Sequence, residues 1–208
     1  MFTGIIDGFS IVSNINKLEN FQSFSVLLNG GLSRDLNIGA SVSIDGVCMT
    51  VSKIDGEDIY FDAMKETLER TTLGLLEKGS NVNIERSLKY ANEIGGHIVS
   101  GHVHGKAQIT KIDKSNQNNC VMYFRVPERL IKYLFPKGFV SLNGASLTVV
   151  DVDTVNKSIK VSFIPETLRN TTFGLKKINE DVNLEIDSQT QSIVDTVERY
   201  LNESKITS

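Results

Sequence analysis

Two short segments place a thiol or hydroxyl two residues ahead of a threonine: Gly46-Val47-Cys48-Met49-Thr50 and Gly144-Ala145-Ser146-Leu147-Thr148. On a strand, residues two apart project from one face. Cys48 with Thr50, and Ser146 with Thr148, are then polar pairs able to hydrogen-bond the edge of a polar heterocycle. The plainer reading is a threonine and a small residue packed inside a barrel. All three histidines, His97, His102 and His104, fall within one short stretch. If that stretch is extended, His102 and His104 share a face. A His-x-His pair can ligate a metal, but no cysteine or carboxylate lies nearby in sequence to complete the set, so no metal is expected. General acid–base work fits better, because a neutral imidazole titrates near working pH. The alternative is turn or surface histidines, His104 above all. Cys48 has no sequence-adjacent histidine to activate it, which leaves nucleophile, weak donor and small buried hydrophobe all open.

The elements that position these residues come in two diverged copies. VSIDGVCMTV (Val42 to Val51) recurs as VSLNGASLTV (Val140 to Val149), and KETLERTTLG (Lys65 to Gly74) as PETLRNTTFG (Pro165 to Gly174). NVNIE (Asn81 to Glu85) recurs as DVNLE (Asp181 to Glu185), and the opening TGIIDG (Thr3 to Gly8) as SGHVHG (Ser100 to Gly105). An offset of about one hundred residues is too long for a solenoid repeat and suits a duplicated small domain. Two like pockets in one chain suit a protein that handles two copies of one ligand.

Each copy reads as short strands: Phe24 to Leu28, Ser41 to Ile44, Cys48 to Val51 and Ile59 to Phe61 in the first. Asp45-Gly46, Asn143-Gly144 and Asp55-Gly56 are hairpin-turn dipeptides. Sixteen glycines against three prolines suit tight turns in closed sheets. The expectation is an all-β chain with two similar six-stranded Greek-key barrels in tandem, closure removing exposed edges. Lys65 to Glu69 and Glu166 to Asn170 read as single helical turns. From Asp187 to Leu201, the residues Ile193, Val194, Val197, Tyr200 and Leu201 form one helical stripe, with Asp187 or Ser188 as its cap. That C-terminal helix either packs on its own barrel or joins copies of the chain. The division expected is residues 1–97 for the first barrel with linker, 98–187 for the second, and 188–208 for helix and tail.

The chain has 208 residues and a net charge of −3, which leaves no basic footprint for nucleic acid or an anionic membrane surface. No run approaches the roughly eighteen apolar residues of a membrane span, and no signal pattern opens the chain. Cys48 and Cys120 occupy non-corresponding positions in the two copies, so no structural disulfide is implied and a reducing cytoplasm is expected. CxxC, HExxH, P-loop and GxGxxG patterns are absent from the sequence.

The chain resembles the riboflavin synthase family of the alpha-chain type, built from two lumazine-binding barrels. The residues that carry the resemblance are MFTGII, the DGVCMTV and NGASLTV pair, MKETLERTTLG with IPETLRNTTFG, EIGGHIVSGHVHG, and the tail EIDSQTQSIVDTVERYL. It covers Met1 to about Leu201. It implies a transferase without cofactor that dismutates two molecules of 6,7-dimethyl-8-ribityllumazine. One molecule passes a four-carbon unit to the other, giving riboflavin and 5-amino-6-(ribitylamino)uracil in the last step of riboflavin biosynthesis. It further implies a homotrimer held by the C-terminal helices. Each active site would lie between the N-terminal barrel of one subunit and the C-terminal barrel of the next, and lumazine synthase is a further implied partner.

The same resemblance carries over substrate-binding positions. For the first barrel these are Gly4, Ile5 and Ile6, then Cys48, Met49 and Thr50, then Asp62, Ala63, Met64, Lys65, Glu66 and Thr67. For the second they are Gly101, His102 and Val103, then Lys137, then Ser146, Leu147 and Thr148, then Ser162, Phe163, Ile164, Pro165, Glu166 and Thr167. Thr50 and Thr148 would read the uracil-like edge, and Phe2 and Thr3 would sit beside the reacting rings. His102 is favoured for proton transfer, with Ser146 and Cys48 orienting or activating water and Asp187 as a further candidate. Asp45 stands where asparagine is common in the family, and His104 where aspartate is frequent, so His104 is given no role. Cys120 matches no functional position and is expected in the core. The rival implied by the same fold is a lumazine-binding antenna protein that does not turn its ligand over. The Arg-x-Tyr-Ser type of flavin motif found in reductase barrels is absent.

Overall fold

Strands form where β-branched and aromatic residues alternate, and glycine and asparagine break them. The computed structural model describes residues 1–29, 31–90, 93–116 and 119–206. In the first copy the strands are β1 (Gly8–Leu18), β2 (Phe21–Leu27), β3 (Ser41–Ile44), β4 (Val47–Asp55), β5 (Asp58–Met64) and β6 (Asn81–Arg86). In the second they are β7 (Gly105–Asn116), β8 (Asn119–Arg125), β9 (Phe139–Leu142), β10 (Ala145–Asp153), β11 (Ser158–Phe163) and β12 (Asp181–Ile186). Each set closes into an antiparallel barrel, β1-β2-β5-β4-β3-β6 and β10-β11-β8-β7-β12-β9, the same cyclic order twice. The expected pair of six-stranded barrels is what the chain forms.

Closure needs bent strands, and bulges supply the bends. Register shifts fall between Val12 and Asn14 and between Val51 and Lys53 in the first barrel. In the second they fall at matching places, between Ile109 and Lys111 and between Val149 and Asp151. Strand β4 therefore runs on to Asp55, past the Val51 at which the alternation breaks, while β2 ends at Leu27, one residue short of the expected Leu28. The helical turns are α1 (Lys65–Arg70) and α2 (Pro165–Asn170), each a residue longer than expected. Each barrel fills with its own core. Phe24 packs on Phe61 at 5.7 Å in one, and Phe163 on Phe173 at 4.6 Å in the other. Cys120 is buried in the second core, as expected.

Helix α3 (Ser188–Ile206) follows β12. The Asp187 carboxylate accepts from the Thr190 amide at 2.8 Å and its hydroxyl at 2.7 Å, which caps the first turn. The apolar stripe divides. Val194 packs on the second barrel, and Tyr133 bonds Asp195 at 2.5 Å from the barrel side. Ile193, Val197, Tyr200 and Leu201 face outward, at least half exposed. Both alternatives open at the sequence level thus find residues to serve them. No helix among the described residues is long and apolar enough to cross a membrane.

The two barrels meet across a pseudo-twofold axis. The turns Asp45-Gly46 and Asn143-Gly144 have positive φ at all four positions, the I′ geometry of a two-residue hairpin. They also abut: a Cβ on Gly46 would lie 2.5 Å from the Gly144 nitrogen, so glycine is required there twice over. Around them the Asn83 amide donates to the Asn143 carbonyl (2.9 Å) and accepts from the Thr172 N–H (2.7 Å). Asn183 does the same to the Asp45 carbonyl (2.8 Å) and the Thr72 N–H (2.7 Å).

One element breaks this symmetry. Asp45 and Asn143 accept equivalent bonds, from the amides of Asn83 and Asn183, but only Asp45 ionises. Burial pushes its pKa from 3.8 up to about 6, against the pull of the Lys176 charge and the Asn83 N–H. A carboxyl whose folded pKa lies above its unfolded value stabilises the fold when protonated. That stability is lost as pH rises from about 4 through about 6. Asp45→Asn is therefore expected to gain stability over the parent, by on the order of 2–3 kcal/mol at pH 7.5, and to lose that advantage near pH 4. Urea unfolding at the two pH values checks this, and equal differences at both would refute it.

Candidate active site

The opening of each copy leaves its own barrel. Phe2 and Val99 form an antiparallel bridge, Phe2 N–H to Val99 O at 2.8 Å and the return bond at 3.0 Å. Beyond this crossing, the Gly4 carbonyl accepts from the Ser146 amide at 2.8 Å, on the second barrel. The Gly101 carbonyl accepts from the Cys48 amide at 2.9 Å, on the first. Both glycines have positive φ, and a Cβ on either would strike its partner, at 2.6 Å from Ser146 Cβ and 2.5 Å from Cys48 Cβ.

A buried glutamate at the end of each first-to-last strand pair holds each opening. The Glu85 carboxylate accepts from the Thr3 amide (2.6 Å), the Thr3 hydroxyl (2.7 Å) and the Gly4 amide (3.1 Å). Glu185 repeats the clasp with the Ser100 amide (2.7 Å), the Ser100 hydroxyl (2.6 Å) and the Gly101 amide (3.0 Å). Burial raises the pKa of Glu85, while the donated hydrogen bonds from Thr3 and Gly4 work the other way.

The exchange builds two like cavities. One, of about 310 Å³, is lined by Val47, Cys48, Glu66, Thr67, Arg70 and Thr71 of the first barrel with Gly101, His102 and Val103. The other, of about 200 Å³, is lined by Ala145, Ser146, Glu166, Thr167, Asn170 and Thr171 of the second barrel with Gly4, Ile5 and Ile6. This corrects the grouping implied by the resemblance. Gly4 to Ile6 belong with Ser146, and Gly101 to Val103 with Cys48, because the openings cross. A larger hollow of about 570 Å³ lies alongside, bordered by Thr3, Ile5, Arg34, Glu85, Arg86 and Lys89. It contains neither strand hydroxyl nor thiol, so volume alone does not mark the chemistry.

The expected site residues sort by burial. Met49, Ala63, Leu147 and Phe163 point into the barrel cores, which leaves only their backbones to a ligand. Thr50, Thr148, Asp62, Ser162, Met64 and Ile164 alternate with them and face outward. Lys65 and Pro165 are exposed at the starts of α1 and α2. Phe2 is fully buried at the crossing, and the Thr3 hydroxyl is committed to Glu85. Lys137 is exposed with φ of 70° and borders neither cavity, its N–H held by the Val149 carbonyl. Within one chain His102 and Cys48 share the first cavity, while Ser146 lies in the second, so that expected trio does not converge.

His97, named in the histidine cluster but absent from the carried-over site positions, lies behind Ser146. It is buried, its ring stacks on Phe139 at 5.1 Å, and its Nδ1 lies 2.7 Å from Ser146 Oγ. Burial holds its pKa below the usual imidazole value, and the Asp187 carboxylate pulls the other way. The available signal was the preceding Gly95-Gly96 pair: a side chain on Gly96 would collide with Ser146 and the Thr3 carbonyl. His104 instead ties the start of α3 to β12. Its Nδ1 accepts from the Ile186 amide at 3.3 Å and its Nε2 meets Gln191 Oε1 at 2.9 Å. No group of three His, Cys, Asp or Glu side chains among the described residues gathers as a metal site requires.

Comparison with known proteins matches this arrangement. The lumazine binding domain pattern matches residues 3–87 and again 100–187. Riboflavin synthase from Buchnera aphidicola (Schizaphis graminum) is 46% identical over 202 residues, 97% of this chain and 96% of that protein. The Escherichia coli K12 enzyme is 46% identical over 97% of this chain and 93% of its own length. The chain belongs to the riboflavin synthase family. Riboflavin synthase from Chlamydia pneumoniae is 42% identical over 98% of both chains. The fold is also that of LumP. Its crystal structures complexed with riboflavin and with 6,7-dimethyl-8-(1'-D-ribityl) lumazine superpose with TM-scores of 0.84 and 0.82, at 24% identity over 90% of this chain.

The glutamate clasp holds the opening segment that forms one wall of each cavity. Glu85→Gln keeps the shape but leaves one acceptor oxygen: holding the two Thr3 donors with it turns the new NH2 against the Gly4 N–H, and the reverse orientation turns it against Thr3. We expect a loss of roughly 2 kcal/mol and at least tenfold faster hydrogen exchange at the Thr3 and Gly4 amides. Unchanged exchange at those amides would show that the clasp does not hold the opening.

Proposed function

We propose that this chain performs the riboflavin synthase reaction, taking two molecules of 6,7-dimethyl-8-ribityllumazine to riboflavin and 5-amino-6-(ribitylamino)uracil. The observation that carries the reading is the pair of like cavities, each made from a strand hydroxyl or thiol of one copy and the opening segment of the other. Identity of 46% to riboflavin synthases across the chain supports it. A dismutation of two identical molecules needs two like sites. Opposed, positioned ligands turn a bimolecular encounter into an effectively unimolecular step.

In this reading the backbone groups beside Cys48 and Ser146, with Thr50 and Thr148, bind the uracil-like edge. The methyl group at position 7 of the lumazine is acidic because the ring delocalises the carbanion, so placement and modest base assistance suffice. His102, on the rim of the first cavity beside Cys48, handles protons on that side. We further propose a homotrimer in which the first-barrel cavity of one subunit faces the second-barrel cavity of the next, which reunites Cys48 and His102 with Ser146. The exposed side chains Ile193, Val197, Tyr200 and Leu201 on an otherwise anchored helix support it. A cytoplasmic setting, supported by the two unpaired thiols of Cys48 and Cys120, and lumazine synthase as the supplier of substrate complete the proposal.

Purified protein incubated with 6,7-dimethyl-8-ribityllumazine alone is expected to form one riboflavin for every two lumazines consumed, followed by absorbance and chromatography. Tight binding with an unchanged lumazine spectrum would make this a carrier or antenna protein instead. Truncation after Asp187 is expected to give monomers by sedimentation with activity reduced at least a hundredfold, and a fully active monomer would overturn the shared site.

A further inference from the structure

A hollow of about 290 Å³ opens between the two copies, lined by Asp45, Thr72 and Leu76 from the first and by Lys176, Glu180 and Asp181 from the second. It shares no lining residue with either cavity. Asp45 is almost wholly buried, and one oxygen of its carboxylate accepts the Asn83 N–H at 2.8 Å. A carboxylate has acceptor capacity beyond one such bond. Thr72 is only 7% exposed, and its Oγ1 is sealed from water without a hydrogen-bond partner. Leaving a buried hydroxyl unpaired is costly, and a donor on a ligand would relieve that cost.

Lys176 shows what chemistry the hollow accepts. Its side chain is only 17% exposed, its Nζ lies 3.4 Å from the Glu180 carboxylate, and its charge reaches Asp45. Even so, three carboxylates face one ammonium, which leaves an excess of two negative charges when Asp45 is ionised. Burial makes that ionisation costly, so a cation beside Asp45 is held more strongly than one at the surface. The buried Leu76 adds an apolar wall suited to methylene groups. Among the described residues no three acidic, histidine or cysteine side chains gather as direct metal ligation requires, which favours an organic cation. The place related by symmetry lacks the charge. Its Thr172 hydroxyl is likewise unpartnered, but Asn143 there presents a buried NH2 where Asp45 has an oxygen.

We propose that this hollow binds a short aliphatic diamine, with one ammonium group between Asp45 and Thr72 and the other at Glu180 and Asp181. The first ammonium donates to the Asp45 carboxylate and to Thr72 Oγ1, the methylene chain lies along Leu76, and the second ammonium meets the more exposed carboxylates. Bound in this way, the ligand ties the Asp45 turn of one copy to the start of β12 in the other and holds the barrels together. The site stands apart from the function proposed above, and its failure would leave that reading untouched.

The test uses the full-chain protein and butane-1,4-diamine at pH 7.5, with calorimetric titration for binding and urea unfolding for stability, at constant ionic strength. One diamine per chain is expected to bind with a Kd on the order of 1 mM. Ligand at about 10 mM should then raise the folding equilibrium constant about elevenfold. Asp45→Asn is expected to weaken binding at least tenfold, and Thr72→Val to weaken it severalfold. Lys176→Met removes the competing ammonium and should tighten it. Butan-1-amine, with a single charge, should bind at least tenfold more weakly than the diamine. Undiminished binding by Asp45→Asn, or a parent stabilised no more by diamine than by sodium chloride at equal ionic strength, would overturn the site. Magnesium chloride protecting as well as the diamine would also overturn it, because general charge screening would then account for the effect.

Discussion

The rest of the structure depends on two buried side-chain amides, Asn83 and Asn183. Each donates to a turn carbonyl of the opposite copy and accepts from a threonine amide of the opposite copy, and both are almost wholly sealed from water. A buried amide deprived of its partners costs about 1–3 kcal/mol for each unpaired group. Sliding or rotating one barrel against the other would break all four bonds together. The interface is therefore close to all-or-none, and it holds the Asp45-Gly46 and Asn143-Gly144 turns in backbone contact at the axis. With that axis set, the strand after each turn begins beside the other copy's opening, and the crossing at Phe2 and Val99 follows from the geometry.

The crossing changes what duplication means chemically. Had each opening stayed on its own barrel, each cavity would descend from one copy and the two could drift apart independently. Because the openings exchange, each cavity contains residues of both copies, and each copy contributes to both sites. The sites nevertheless differ in their ionisable side chains. The first has a thiol, Cys48, with the rim imidazole His102; the second has a hydroxyl, Ser146, with the buried imidazole His97. A symmetric scaffold thus carries two cavities whose side chains are unequal.

Much of this was legible in the residues themselves. The repeat itself, the barrel architecture, the hairpin dipeptides and a helix cap at Asp187 or Ser188 can all be read from spacing and type. Strand ends were less legible, since the bulges near Val12, Val51, Ile109 and Val149 shift the inward-outward alternation midway and shorten any strand read by periodicity. The exchange of openings could not be read at all. Thr3-Gly4 and Ser100-Gly101 fit Glu85 and Glu185 by the same local chemistry wherever the chain goes next, so the alignment of the copies is identical with or without a crossing. The place of His97 was illegible for a related reason: its contact with Ser146 spans 49 residues, and only the small Gly96 beside it hinted at a crowded backbone.

Helix α3 has no counterpart in the first copy, and a single group at its start links it to His97. The Asp187 carboxylate is the cap that lets the helix begin, and its charge reaches the His97 ring. If the cap opened, the first turn would lose its acceptor and the carboxylate would leave its fixed place near the imidazole, so the ring would hold a proton less readily. Val194 and the bonds from Tyr133 and Lys132 to Asp195 and Glu198 clamp the inner face of the helix to the second barrel, while Ile193, Val197, Tyr200 and Leu201 stay outside. Covering that outer face would resist fraying of the whole helix, including its first turn. Packing on the outer face of α3 then bears on the proton affinity of His97, through one carboxylate that serves both as cap and as counter-charge.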